Sequence, residues 1–201
     1  MVNGQFTFDE RKDYYYTTLY RAALTISSSL ELDEVLQNIV QSVTEAMKSI
    51  GARAAVLRLL DQESGQLQVA AAYGLSDEYL KKGPLNLSYS KLDQEISDAP
   101  GCLAVAIADV RTDERFRYRE AAAREGLVSA LCAPLKVHNE TIGVIRVYTD
   151  RPTTFGEEDK EFLSVLASLA AQAIDNARLY HALKSSYAGV VDAFWGTAVS
   201  A

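Results

Sequence analysis

The stretch from Glu125 to Leu183 constrains the fold of this 201-residue chain more than any other. It reads EGLVSALCAPLKVHNETIGVIRVYTDRPTTFGEEDKEFLSVLASLAAQAIDNARLYHAL. Residues 129–137 and 141–148 read as two alternating strands, with residues 138–140 in the turn between them. One long helix then opens near Gly156, an acceptable cap. Glu157, Glu158 and Asp159 fall in its first turn, where the helix dipole favours negative charge. No proline follows Pro152, so nothing forces this helix to stop before the C-terminus.

Upstream, the periodicity predicts two helices and a hairpin. Leu19, Ala23, Ile26 and Leu30 form a helical stripe over residues 14–30. Asp33 reads as an N-cap, and Val35, Leu36, Ile39, Val40, Val43 and Met47 line one face of a second helix. Gly51 ends it, since glycine tolerates the left-handed conformation of helix stops. Residues 52–60 and 67–73 are predicted strands, joined by the loop 61–65. The middle, 75–124, is the least regular part. Short helices are expected at 76–82, 92–97 and 118–125, a short strand at 103–108, and a polar loop at 109–116.

Composition excludes several classes. The formal net charge is −7 and Lys and Arg are scattered, so no basic stripe offers itself to nucleic acid. No apolar run reaches the length of a membrane span, and the N-terminus has no apolar signal-peptide core. The expectation is a cytoplasmic protein with no membrane insertion. Cys102 and Cys132 do not make a disulfide framework. His138 and His181 are far apart, with no HxH, CxxC or HExxH spacing, so no metal or haem ligand set is expected.

Seven phrases in order resemble one family: SLELDEVLQNIV at 29–40, VAAAYGL at 69–75, IADVRTDERF at 107–116, AAREGLVSALCAPL at 122–135, IGVIRVY at 142–148, FGEED at 155–159 and AIDNARLY at 173–180. Over residues 20–183 the chain is similar to the GAF domains of sensory and regulatory proteins. The resemblance implies an α+β fold: a central antiparallel sheet of about six strands, terminal helices on one face, and an irregular ligand-pocket side on the other. It implies residues 1–13 as a flexible N-terminus, 14–183 as the domain and 184–201 as a helical extension.

The family's ligands are tested residue by residue. The cyclic-nucleotide motif of such domains runs Asn-Lys, Phe, Asp-Glu. Here Phe155 and Asp159 match, but 148–150 read Tyr-Thr-Asp and Lys160 follows Asp159. The motif is broken, so Phe155 is expected to pack and Asp159 to cap. A covalent bilin needs an exposed thiol, often followed by His; Leu103 follows Cys102, and Cys132 points into the core. A reductase of free methionine sulfoxide needs an attacking and a resolving thiol, which Cys102 and Cys132 supply only if their Cα atoms lie within about 7 Å. No cofactor is expected.

What remains is a non-catalytic small-molecule-sensing and dimerisation module, its ligand unidentified. The alternatives are the thiol reductase and a purely structural dimerisation module. Tyr73, Tyr89, Leu92, Ile96, Cys102, Asp109, Phe116 and Tyr118 are the candidate pocket lining, and Tyr79 adds a hydroxyl nearby. Asp109, Arg111, Asp113 and Arg115 are candidates to orient a polar ligand. Phe162, Leu166, Leu169, Ala173, Asn176, Tyr180, Leu183, Tyr187, Val190 and Phe194 recur every four and three residues. That heptad seam implies a homodimer, with Asn176 setting register. A helix of about 39 residues spans roughly 58 Å and outruns the domain, which suits an output domain or signalling partner.

Overall fold

The computed structural model describes residues 8–28, 32–83, 85–98 and 103–195. Helices α1 (Phe8–Ser28) and α2 (Leu32–Ala46) lead into the hairpin β1 (Ala52–Leu60) and β2 (Gln66–Tyr73). The middle carries α3 (Asp77–Leu80), β3 (Leu85–Asn86), α4 (Lys91–Asp98), β4 (Val105–Ile107) and α5 (Arg119–Arg124). The chain then forms the hairpin β5 (Ala130–Val137) and β6 (Glu140–Thr149) and the helix α6 (Glu157–Trp195). The strands make one sheet in the order β3-β2-β1-β6-β5-β4, each pair of neighbours antiparallel. The β5–β6 turn carries positive φ at both His138 (49°) and Asn139 (70°), which matches the twist of the strands it joins.

Period-two alternation sorts the sheet residues onto two faces. Ala55, Leu57, Leu131, Ala133, Leu135, Ile145 and Val147 pack with α1, α2 and α6. Ala54, Val56, Ala130, Cys132, Val144 and Tyr148 pack under the irregular middle. The helix side is closed by side chains at helical spacing. Val35, Leu36, Ile39, Val40 and Val43 of α2 are buried, as are Leu163, Leu166, Ala167, Ala170, Ala171 and Ile174 of α6. The alanines keep α6 close to the strands beneath it. At its start, Asp159 Oδ2 accepts the Gly156 N–H at 2.8 Å, and Phe155 is buried in the core. Both are the roles the broken nucleotide motif left them.

Helix α1 begins at Phe8, inside the stretch expected to be loose, and ends at Ser28 rather than 30. Its early start has a physical cause. Tyr15 stacks on Phe162 with ring centroids 4.1 Å apart and donates its hydroxyl to Asp159 Oδ1 at 2.8 Å. Burial and then the Asp159 charge raise the Tyr15 pKa. Arg11 reaches the carboxylates of Glu158 and Asp159 at 3.8 and 3.9 Å. These contacts tie α1 to the head of α6.

The heptad seam divides along α6. Phe162, Leu166 and Ala173 are buried in the chain's own core, and Leu169 is half-buried. Asn176, Tyr180 and Leu183 are exposed. The side chains of Tyr187, Val190 and Phe194 lie outside the described residues. The helix itself runs unbroken through residue 183, where a domain boundary was expected.

Candidate functional site

The second face of the sheet is roofed by short elements. Ser76 caps α3 by accepting the Tyr79 N–H on its Oγ at 3.1 Å. Its own N–H and hydroxyl donate to Glu125 Oε1 and Oε2 at 2.7 and 2.6 Å, which ties α3 to the end of α5. Leu92 and Ile96 turn one side of α4 into the core, and Asp93 lies beside them with no exposure.

Charge enters this face through the strands. In β1 and β6 the register pairs Val56 with Arg146 and Arg58 with Val144. The two arginines are therefore diagonal neighbours on one face. Each is 3% exposed. Arg146 Nη2 pairs with Asp93 Oδ1. Arg58 donates from Nη1 to the Leu67 carbonyl at 3.3 Å. Among the described residues, Arg58 Nε and Nη2, Arg146 Nε and Asp93 Oδ2 are buried with no hydrogen-bond partner. Orphaned buried polar atoms carry a free-energy cost and call for an explanation.

The electrostatics follow from this crowding. Burial lowers the Arg58 pKa; Arg146 adds to that, while Tyr148, Tyr79 and Asp93 oppose it. Burial also works against charge on Arg146, but Asp93, Tyr148 and Cys132 outweigh it and hold its pKa well above the ordinary value. Tyr148 and Tyr79 close the cluster toward α3, with hydroxyls 3.3 Å apart and rings edge-to-face at 6.0 Å. Phe116 packs edge-to-face on Tyr148 at 6.4 Å and lies 5.8 Å from the Arg146 guanidinium. Lys82 then covers Tyr79, its Nζ 3.4 Å from the ring centre and 3.1 Å from the Tyr79 carbonyl. Burial, and after it the charges of Arg58 and Arg146, push Lys82 down to about 7.

Outside Lys82 a cleft of about 720 Å³ opens between α3 and α5. Tyr79, Lys82, Tyr118, Arg117 and Glu125 are among its lining residues. Lys82 and Tyr79 line the cleft and separate it from Tyr148 and the two arginines, which are buried behind them.

The predicted pocket residues separate. Leu92, Ile96 and Phe116 surround the buried cluster as apolar packing, and Tyr118 borders the cleft. Tyr73 does not join them. It pairs with Ala55, so it belongs to the helix side of the sheet, where it is 36% exposed at the strand end. Asp109 stands apart as well, spending both carboxylate oxygens on Arg111 at 2.8 and 2.6 Å. Asp113 and Glu95 occupy Arg115 in the same way. These pairs occupy the charges of all four side chains expected to orient a polar ligand. The side chain of Tyr89, and Cys102 entirely, lie outside the described residues.

Arg58, Asp93, Arg146, Lys82 and Tyr148 were missed from sequence. The signal was present: AVLRLL and GVIRVY each place one arginine inside an otherwise apolar strand. A strand buried on both faces can hold such a charge only beside a partner.

Thiol chemistry fits this site poorly. Cys132 faces Arg146 across β5 and β6 but has no exposure, and burial pushes its thiol up to about 12. An attacking cysteine needs the opposite shift and access.

A family model described as GAF domain matches residues 29–175. A Nif-specific regulatory protein of Herbaspirillum seropedicae is 25% identical over 174 residues, 83% of this chain and 30% of that protein. An uncharacterized sensor-like histidine kinase of Chloroflexus aurantiacus is 29% identical over 167 residues, 83% of this chain and 26% of that protein. The chain thus spans less than a third of the length of the curated relatives it matches. The crystal structure of the GAF domain from an Acinetobacter phosphoenolpyruvate-protein phosphotransferase aligns with TM-score 0.67 and 25% identity, covering 82% of this chain and 94% of that one. The chain belongs to the GAF domain family.

Proposed function

We propose that this chain is the small-molecule-sensing and dimerising module of a signal-transduction protein. The observation that carries the sensing reading is the pair of buried arginines with unfilled hydrogen-bond positions behind a cleft. A domain built only for packing gains nothing from such groups. A thermal-shift screen of nucleotides, amino acids, aromatic acids and inorganic anions tests the reading. A ligand present at a hundred times its dissociation constant stabilises the native state by about 2.7 kcal/mol. A flat screen leaves a purely structural dimerisation module.

Exposed apolar side chains on the terminal helices support assembly. Tyr16, Tyr20 and Leu24 of α1 are 60%, 66% and 52% exposed, and Leu179 and Leu183 of α6 are 62% and 68% exposed. A second copy covers them in a homodimer, and α6 carries the signal on to an output domain or signalling partner. Light scattering at micromolar concentration should give twice the chain mass. Leu179→Glu with Leu183→Glu should give a folded monomer. A wild-type monomer would remove the dimer from the reading and leave the ligand untouched.

A further inference from the structure

We propose that the cluster behind the cleft binds the carboxylate of a small organic acid, with the free Nε–Nη2 edge of Arg58 as its docking fork. The proposal rests on the sensing reading and names the ligand class of that site.

Three observations carry it. The first is geometry. The Nε and Nη2 atoms share one edge of the guanidinium plane and point two parallel N–H bonds the same way. That edge matches the two coplanar oxygens of a carboxylate. Both atoms are buried and lack a partner among the described residues, while the third nitrogen is spent on the Leu67 carbonyl. The second is charge. Arg58 and Arg146 bring two positive charges and Asp93 one negative, so the buried cluster has one uncompensated positive charge. A single carboxylate balances it. The third is the surroundings. Val56, Tyr79, Phe116 and Val144 supply apolar and aromatic walls for the carbon part of an organic acid.

Lys82 stands between this cluster and the cleft. It faces Arg58 of β1, Arg146 of β6, Glu125 beyond α5, and the Tyr79 and Tyr118 rings. Arg117 lines the same cleft. An incoming carboxylate offsets the repulsion that Lys82 feels from both arginines, so binding favours its protonated form. Affinity for acids should therefore fall as pH rises above 7.

The test is calorimetric titration of the full chain below pH 7 with benzoate, succinate and lactate, each beside its neutral amide, and with inorganic phosphate as a separate arm. At least one acid should bind saturably, and its amide should bind weaker by on the order of a hundredfold. Arg58→Met should lose a similar factor while keeping the native circular dichroism spectrum. Arg58→Lys should recover part of it, as a point charge without the fork. Equal binding of acid and amide overturns the proposal, as does unchanged binding in Arg58→Met or binding of phosphate alone. If every acid fails while the wider thermal-shift screen finds a neutral ligand, this inference falls and the sensing reading stands. If both are flat, the sensing reading falls with it.

Discussion

The two faces of the sheet are built to different rules. The helix side is an apolar core with few buried polar groups: Thr44 donates to the Val40 carbonyl at 2.7 Å, Asp159 uses both oxygens, and Arg11 Nε at the rim is the one atom of this side that lacks a partner among the described residues. The cover side holds two arginines, an aspartate and several unfilled hydrogen-bond positions. Long helices with continuous stripes close the first face; α3, α4 and α5, of 4, 8 and 6 residues, close the second. The difference teaches that one sheet can hold an apolar core on one face and unmatched charge on the other. One side supplies the stability that lets the other keep unmatched charge.

The comparison breaks most sharply at Asp93. Replacing it with Ala leaves Arg146 buried beside Arg58 with no counter-charge. Denaturant unfolding should show a loss of about 3–5 kcal/mol. Asp93→Leu combined with Arg146→Met should recover most of that, because the cover side then resembles the helix side. Failure of the double change to recover would mean that the ion pair itself holds the cover in place.

On the helix side, Leu166→Ala should cost about 2–5 kcal/mol by the same measurement, since Leu166 is fully buried between α6 and the strands. No second change involving charge should rescue it. A small loss there would show that α6 packs loosely and that the contrast between the faces is overdrawn.

A smaller effect separates the faces by pH. The native state holds Lys82 at about 7 and the unfolded chain near 10.5, so between these values the unfolded state binds more protons. Stability from this group therefore rises with pH above 7. Cys132 acts in the opposite sense from about 9.0 upward, its native thiol being pushed up to about 12. Between pH 7 and 9.0 the slope should be positive, below the one-proton limit of about 1.4 kcal/mol per unit because Lys82 is half-buried. Lys82→Met should flatten it. Arg115→Ala, at the surface of the cover, should change stability by about 0–1 kcal/mol.

How far the sequence revealed each face follows the same division. The helix side was legible because its stripes repeat at three and four over many residues; β1, β2, β5 and β6 fall within about one residue of their expected limits, while α2 ends at Ala46 and a separate 3-10 turn, Lys48–Ile50, leads to the expected stop at Gly51. On the cover side the helices were foreseen, but the two-residue strand β3 was not, and β4 is only Val105–Ile107. Elements that short carry no period to read. The site was less legible still. Leu92, Ile96 and Phe116 stood out as apolar residues in an irregular segment, yet they are its walls. Asp109 stood out as charged, yet its charge is spent on Arg111 two residues away. The arginines that matter were hidden in strands that read as core. Their meeting depends on the register of β1 against β6, which no local pattern encodes.

On the reading proposed above, the unmatched charge of Arg58 serves a ligand and not the fold. Denaturant unfolding of Arg58→Met tests it most directly. Methionine keeps the apolar length of the side chain and removes the charge that has no counter-charge of its own. The unfolding free energy should be raised, or unchanged within about 1 kcal/mol, the value of the one hydrogen bond lost at the Leu67 carbonyl. A loss of more than about 3 kcal/mol, the size expected on breaking a buried pair, would contradict it and make Arg58 a structural residue.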